Sequence, residues 1–308
     1  MRILAAVLAS PLLLAAPLAG QAAPSSRAPG AEKAAVLWSK LERSIAELDA
    51  RLDGVLAVAI KDLTDGRMIL LHADEVMPTA STIKIAVLAE LYRQEAAGGV
   101  RLSDPYLVDS ADVVPGSDLL AGLTPGVTRL TNRDLATLMV GVSDNGATNV
   151  LIRRIGMERV NTLLDSLGLK ATRLRRRMLD LAAARAGREN TASARELVAL
   201  LEALWGTRVL SGALRDDFFR VLATPKERYL PRLLPEQARM ASKPGWLEGV
   251  RVDAGIGFAP NRPFAIAVMI TYSGDERAAE QAIADIGLAA WRHFERLGGA
   301  GAFGRKLP

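Results

Sequence analysis

Ser81, Thr82, Ile83 and Lys84 place a hydroxyl and an amine three residues apart, just before the apolar run Ile85 to Arg93. In a helix that offset is a little under one turn, so Lys84 Nζ can lie beside Ser81 Oγ. A serine hydroxyl at its ordinary pKa is a weak nucleophile and needs a base. A lysine whose charge is disfavoured by burial or by other cations supplies one without histidine. At a helix N-terminus the Ser81 N–H would also point at a developing oxyanion. A serine and a lysine so spaced arise by chance in most chains of this length, and the tetrapeptide alone decides nothing.

Two other groups fit the same chemistry. Ser143, Asp144 and Asn145 follow the apolar run Leu135 to Val142 and precede another helical run, on a short loop where Ser143 could relay a proton to a leaving group and Asn145 could hold Lys84 or a substrate amide. The same residue types also make ordinary helix-capping turns. Lys243, Pro244 and Gly245 close a strand pattern that begins at Arg239. A cation there can bind a substrate carboxylate, and a lysine before a Pro-Gly turn is otherwise a common surface feature. The three groups stand in this order, 62 and then 100 residues apart.

The elements that must position them are legible from periodicity. Val36, Leu37, Leu41, Ile45, Leu48 and Leu52 recur on one helical face between Ala34 and Leu52. Val55 to Leu63, a turn at Thr64, Asp65 and Gly66, and Met68 to His72 read as a β-hairpin. Residues 81 to about 220 are mostly helix-period runs, such as Arg133 to Val142 and Ala194 to Leu204. Strand patterns return at Arg239 to Lys243, Val250 to Phe258 and Phe264 to Tyr272, followed by an alanine-rich helix from Asp275 to about Arg296. The expected fold is an α/β (α+β) sandwich: an antiparallel sheet built from both chain ends, flanked by terminal helices, with an inserted helical lobe.

Composition narrows the function. A chain of 308 residues with 50% hydrophobic content is long enough to bury roughly 75% of its unfolded surface, which excludes a disordered protein. Its zero cysteines remove thiol nucleophiles, disulfides, cysteine-held zinc and iron–sulfur clusters. The two histidines, His72 and His293, lack ligand-spaced partners and read as structural, so neither metal nor organic cofactor is expected. The formal charge of +5 is modest, and the one dense basic run, Arg173, Arg175, Arg176 and Arg177, has no interleaved aromatics, which argues for a salt-bridged loop over nucleic-acid binding. Arg2, the apolar run Ile3 to Leu18 and the small residues before Pro24 read as a secretory signal peptide over 1–23, with no membrane span once it is cleaved. A flexible arm over 24–30, a catalytic domain over 31–298 and a tail over 299–308 complete the layout. A periplasmic or secreted monomer is expected.

Taken together, the three motifs resemble those of class A β-lactamases and the related penicillin-binding D,D-peptidases. The resemblance covers about residues 31–298 and extends to Pro78, Ala80 and Thr82 around Ser81 and to Ala147, Asn149 and Leu151 after Ser143. It implies Ser81 as acylated nucleophile, Lys84 as its base partner, Ser143 as proton shuttle, Asn145 as a contact to lysine and substrate amide, and Lys243 as carboxylate site. It further implies an oxyanion hole from the N–H groups of Ser81 and Trp246, and assistance from Arg251 at a substrate carboxylate. The substrate implied is a β-lactam or a peptidoglycan-like D-Ala-D-Ala peptide. Two departures stand out. Pro244 occupies the place of a hydroxyl residue that helps hold the carboxylate. Met178 falls on the glutamate that activates the deacylating water, and Ala182 on the asparagine that helps position it. Asp180 and Glu189 are the nearby carboxylates that could substitute, or could pair with the surrounding arginines. The expectation is a serine hydrolase with slow deacylation. A D,D-peptidase or esterase on the same fold, or a degenerate ligand-capturing protein, is the alternative.

Overall fold

The computed structural model describes residues 31–301 and 303–306. The expected signal peptide, the arm and residues 302, 307 and 308 of the tail lie outside them. In chain order the described elements are α1 (Ala31–Asp49), β1 (Val55–Asp62), β2 (Met68–Leu71), β3 (Met77–Pro78), α2 (Lys84–Ala96), β4 (Pro105–Leu107), α3 (Asp118–Ala121), β5 (Arg129–Thr131), α4 (Asn132–Gly141), α5 (Asn145–Ile155), α6 (Met157–Ser166), α7 (Leu181–Arg185), β6 (Thr191–Ala192), α8 (Ala194–Trp205), α9 (Gly212–Leu222), β7 (Met240–Leu247), β8 (Val250–Gly257), β9 (Phe264–Thr271) and α10 (Glu276–Gly298).

The main sheet has the order β2-β1-β9-β8-β7, antiparallel throughout, so it is made from both ends of the chain as the strand patterns imply. Side chains alternate between its faces, and both faces are covered. Leu56, Val58 and Ile60 of β1 and Phe264, Ile266, Val268 and Ile270 of β9 pack with Trp38, Leu41 and Ile45 of α1 and Ile283, Ile286 and Phe294 of α10. The intervening Ala57, Ala59, Ala265 and Ala267 face the helical lobe, where α8 lies against β1 and β9. Burial on both sides is why β9 reads as an unbroken apolar run. Each fully buried large side chain contributes about 1.5–3 kcal/mol.

The lobe is arranged around α2, whose residues from Lys84 to Tyr92 are all buried. A helix enclosed on every side is a rigid mount, and Ser81 sits in the 3-10 turn Ala80–Ile83 that leads into it. Two small strand pairs interrupt the region expected to be helical. β4 pairs with β5, and β3 pairs with β6, tying the segment before Ser81 to the end of the loop that carries Met178. The periodicity of such short pairs is too brief to register in the sequence.

One strand runs further than its pattern predicts. β7 continues through Pro244 and Gly245 to Leu247, paired with β8 along its whole length. Proline lacks a ladder donor and is tolerated here because β7 is the edge strand. His72 and His293 are structural, as expected: His72 Nδ1 lies 3.0 Å from Leu56 O, and His293 meets the Trp38 ring edge-on at 4.6 Å. Among the described residues no helix is long and apolar enough to cross a membrane.

Candidate active site

The three motifs converge on one cleft of ≈ 340 Å³ between the edge of β7 and the helical lobe. Ser81 is brought there by close backbone packing. A Cβ on Gly245 would lie 2.6 Å from Ser81 N and 2.8 Å from Thr79 O, so only glycine lets β7 approach the turn. Thr82 Oγ1 donates to Lys243 O at 2.9 Å and fastens the same two segments. Ala80 at φ +46°, Ser143 at φ +61° and Leu179 at φ +62° all occupy the left-handed region, and all three border the cleft. Such strain gathers where the surroundings over-determine a functional geometry.

The serine–aspartate–asparagine loop serves both of its sequence readings, on different residues. Asp144 caps α5, accepting from Ala147 N at 2.9 Å, while its other oxygen accepts from Leu120 N at 3.0 Å. Ser143 and Asn145 are thereby left to face the site. Ser143 Oγ donates to Ser81 Oγ at 2.9 Å and accepts from Lys84 Nζ and from Lys243 Nζ, each at 3.0 Å. Lys84 Nζ also donates to Ser143 O at 2.7 Å and to Asn145 Oδ1 at 2.9 Å. These contacts use all three ammonium donors. The hydrogen-bonded link from Lys84 to Ser81 passes through Ser143.

Both lysines are buried, at 0% and 1% exposed. Burial and then the Lys243 charge hold Lys84 well below the ordinary lysine range, against the pull of Asp144. Burial and then Lys226 bring Lys243 down to about 7, with Asp253 opposing. A neutral amine and a hydroxyl relay next to a second hydroxyl can abstract a proton from it. Pro244 O accepts from Lys243 Nζ at 2.8 Å, so that peptide faces the cleft edge. Residues two apart on a strand present their peptides to the same edge, and this aims the Trp246 N–H at the cleft beside Ser81 N. The Trp246 ring is half-exposed at the rim, with the Arg228 guanidinium 5.6 Å from its centre.

Met178 lines the cleft, as the aligned register requires. Asn149 clamps its main chain from both sides, accepting from Met178 N at 2.8 Å and donating to Met178 O at 3.1 Å. The loop closes on itself: Asn190 Oδ1 accepts from Arg175 N and Arg176 N at 2.7 and 3.0 Å, and Asn190 O accepts from Thr79 N at 2.9 Å. The loop is salt-bridged, as its charges suggest, through Arg176–Glu189 at 2.7 Å and Arg173–Asp165 at 2.6 Å.

Three expected site residues lie elsewhere. Asp180 caps α7, accepting from Ala183 N at 2.9 Å. Glu189 is held by Arg176 and by Asn190 N. Neither is among the residues that line the cleft. Arg251 is paired across the sheet with Ile270 and so faces the terminal helices, where it forms ion pairs with Glu276 and, at 3.1 Å, with Glu280. Lys243 is paired with Ala254, on the opposite face. The sequence reading missed Lys226, Asp253 and Asn190. Of these, Asp253 carried a signal, since a lone acid inside the apolar pattern Val250 to Phe258 is a residue type seldom fully buried.

The model of the β-lactamase enzyme family matches residues 40–294. A β-lactamase of Streptomyces albus G is 29% identical over 266 residues, 82% of each chain. Among solved structures, the β-lactamase from Sphaerobacter thermophilus is 32% identical with a TM-score of 0.75, covering 83% of this chain and 97% of that one. A mutant of PBP-A, solved as an acyl-enzyme complex with penicillin G, is 25% identical with a TM-score of 0.74, covering 83% and 97%.

Proposed function

The chain belongs to the β-lactamase enzyme family and is a β-lactamase-like serine hydrolase, and on that premise we propose that it opens β-lactams through an acyl-enzyme on Ser81 that is slow to hydrolyse. The observation that carries the proposal is the Ser143 hydroxyl, held at 2.9 Å from Ser81 Oγ and at 3.0 Å from both lysines.

Lys84 in its neutral form takes the Ser81 proton by way of Ser143 as Oγ attacks the lactam carbonyl. The N–H groups of Ser81 and Trp246 receive the oxyanion. Collapse breaks the carbon–nitrogen bond, and Ser143 passes the proton to the departing nitrogen. Lys243 neutralises the substrate carboxylate, without the hydroxyl that Pro244 cannot offer. Water must then attack the ester, and the Met178 thioether cannot take its proton. The N-terminal sequence supports a periplasmic or secreted location for this chemistry. Met178 also favours a second reading, a D,D-peptidase that β-lactams acylate durably, and the similarity to PBP-A supports it.

Mixing the protein with a chromogenic β-lactam should give a burst equal to the enzyme present, then slow turnover, with a mass-spectrometric adduct on the Ser81 peptide. A D-Ala-D-Ala peptide turned over faster than any β-lactam would favour the second reading. Rapid β-lactam turnover with no adduct would remove slow deacylation. Lys243→Ala should weaken carboxylated β-lactams at least about tenfold more than an uncharged ester, because only the former lose a charge partner. Equal losses would take Lys243 out of the carboxylate site.

A further inference from the structure

Behind the cleft lies a group of charges that the proposed chemistry does not touch. Both strand neighbours of Lys243 are engaged by one residue of β8. Asp253 is the cross-strand partner of Pro244, and its Oδ2 accepts from Ser242 Oγ at 3.4 Å and from Leu230 N at 3.2 Å. It is 0% exposed, and its Oδ1 has no hydrogen-bond partner among the described residues. Lys226, in the segment joining α9 to β7, is held by Leu222 O at 3.0 Å and Thr224 O at 2.7 Å. It lines a cavity of ≈ 310 Å³ whose wall includes Ser242, the residue bonded to Asp253. A buried carboxyl with a bare oxygen either takes up a proton or is held ionised by nearby positive charge.

We propose that Lys226 and Asp253 are positioning residues, a partly buried cation and a buried carboxyl of opposite charge whose combined field sets the charge that Lys243 presents to the substrate carboxylate. This rests on the reading of Lys243 as the carboxylate site. The two act in opposite senses on Lys243, Lys226 lowering its proton affinity and Asp253 raising it. Burial lifts Asp253 to about 7, against Leu230 N–H, Lys226, Ser242 and Lys243. Burial lowers Lys226 to about 8, with Asp253 opposing. The three groups titrate in one range and therefore as a coupled set. Among the described residues, the charges near them include Lys84 on α2 and Asp144, Glu227, Glu236 and Arg239 around the Lys226 cavity, and Arg228 beside Tyr229. Tyr229 and Arg251 lie beside Asp253, the latter occupied by Glu276 and Glu280 of α10. On β9, the cross-strand partner of Asp253 is the apolar Val268.

The sign follows directly. Carboxylate binding fails as pH rises through the Lys243 titration. Asp253→Asn removes the anion that supports the ammonium, so the titration moves down by about one pH unit; Lys226→Met removes a repelling cation, so it moves up by a similar amount. Lys226→Arg keeps the charge and should leave it in place. The experiment follows the lysine Cε resonances of the full chain by carbon-13 NMR against pH, with Lys243 identified by the peak lost in Lys243→Ala. Opposite displacements in the two variants, and none in Lys226→Arg, support the pair. No displacement, or the same direction in both, overturns it. If Asp253→Asn does not fold, an upward displacement in Lys226→Met with none in Lys226→Arg still supports the pair, and no displacement or a downward one in Lys226→Met overturns it. The pH profile of acylation by a fluorescent penicillin should be displaced in the same directions. A wild-type chain that takes no penicillin sinks the reading of the cleft, while the resonance titration still judges the pair.

Discussion

Ser81→Ala should reduce covalent labelling by a fluorescent penicillin to background and lower turnover by about 10⁴- to 10⁶-fold, the scale of losing a nucleophile. The far-ultraviolet circular dichroism should stay unchanged, because Ser81 Oγ supports nothing in the core. The turn is held by other groups: Thr82 Oγ1 on Lys243 O, the Gly245 backbone packed against Ser81 N, and the β3–β6 pair before it. The Ser143 hydroxyl loses an acceptor but keeps both lysines as donors. Labelling of the variant at the wild-type rate would place the nucleophile elsewhere, and a peptide map of the adduct would identify it.

Met178→Glu should shorten the lifetime of the penicillin adduct by about 100-fold, at the lower end of the 100- to 10,000-fold range for a general base. The lower end is expected because Ala182, aligned with the residue that helps position the water, is exposed on α7 and contributes no amide. The loop should keep its path, since Asn149 holds the Met178 main chain and not its side chain. Met178 is only 7% exposed, so the introduced carboxyl would be partly desolvated and its pKa raised, which favours a base that works near neutral pH. Acylation should change little, because it runs through Ser143 and the two lysines. The decisive measurement is intact-protein mass spectrometry over time after a single equivalent of penicillin. An unchanged lifetime would mean that the side chain at 178 does not meet the attacking water.

The sheet and its two coats of helix were legible because both rest on local periodicity. Alternation of large and small residues along β1 and β9 and the three- and four-residue steps in α1 follow from where successive Cβ atoms point. The motifs were legible for a related reason: few residue types can attack, relay or anchor, and the chain places them at Ser81, Lys84, Ser143, Asn145 and Lys243. Met178, singled out by its place in the aligned loop, does line the cleft.

Partners were not legible, because they come from segments far apart in sequence. Lys84 is three residues from Ser81, yet its hydrogen bonds go to Ser143 and Asn145, 59 and 61 residues away. Pro244 looks like the end of a strand until the sheet order puts β7 at the edge. Arg251 and Lys243 both belong to strands beside the cleft, but strand sides alternate residue by residue, and the cross-strand register sends Arg251 to the glutamates of α10 and Lys243 to Ser143. Sequence by itself determined which chemical groups this protein has and which local elements carry them. Tertiary structure decided which groups meet, because direction and contact depend on packing between segments that no short-range pattern encodes.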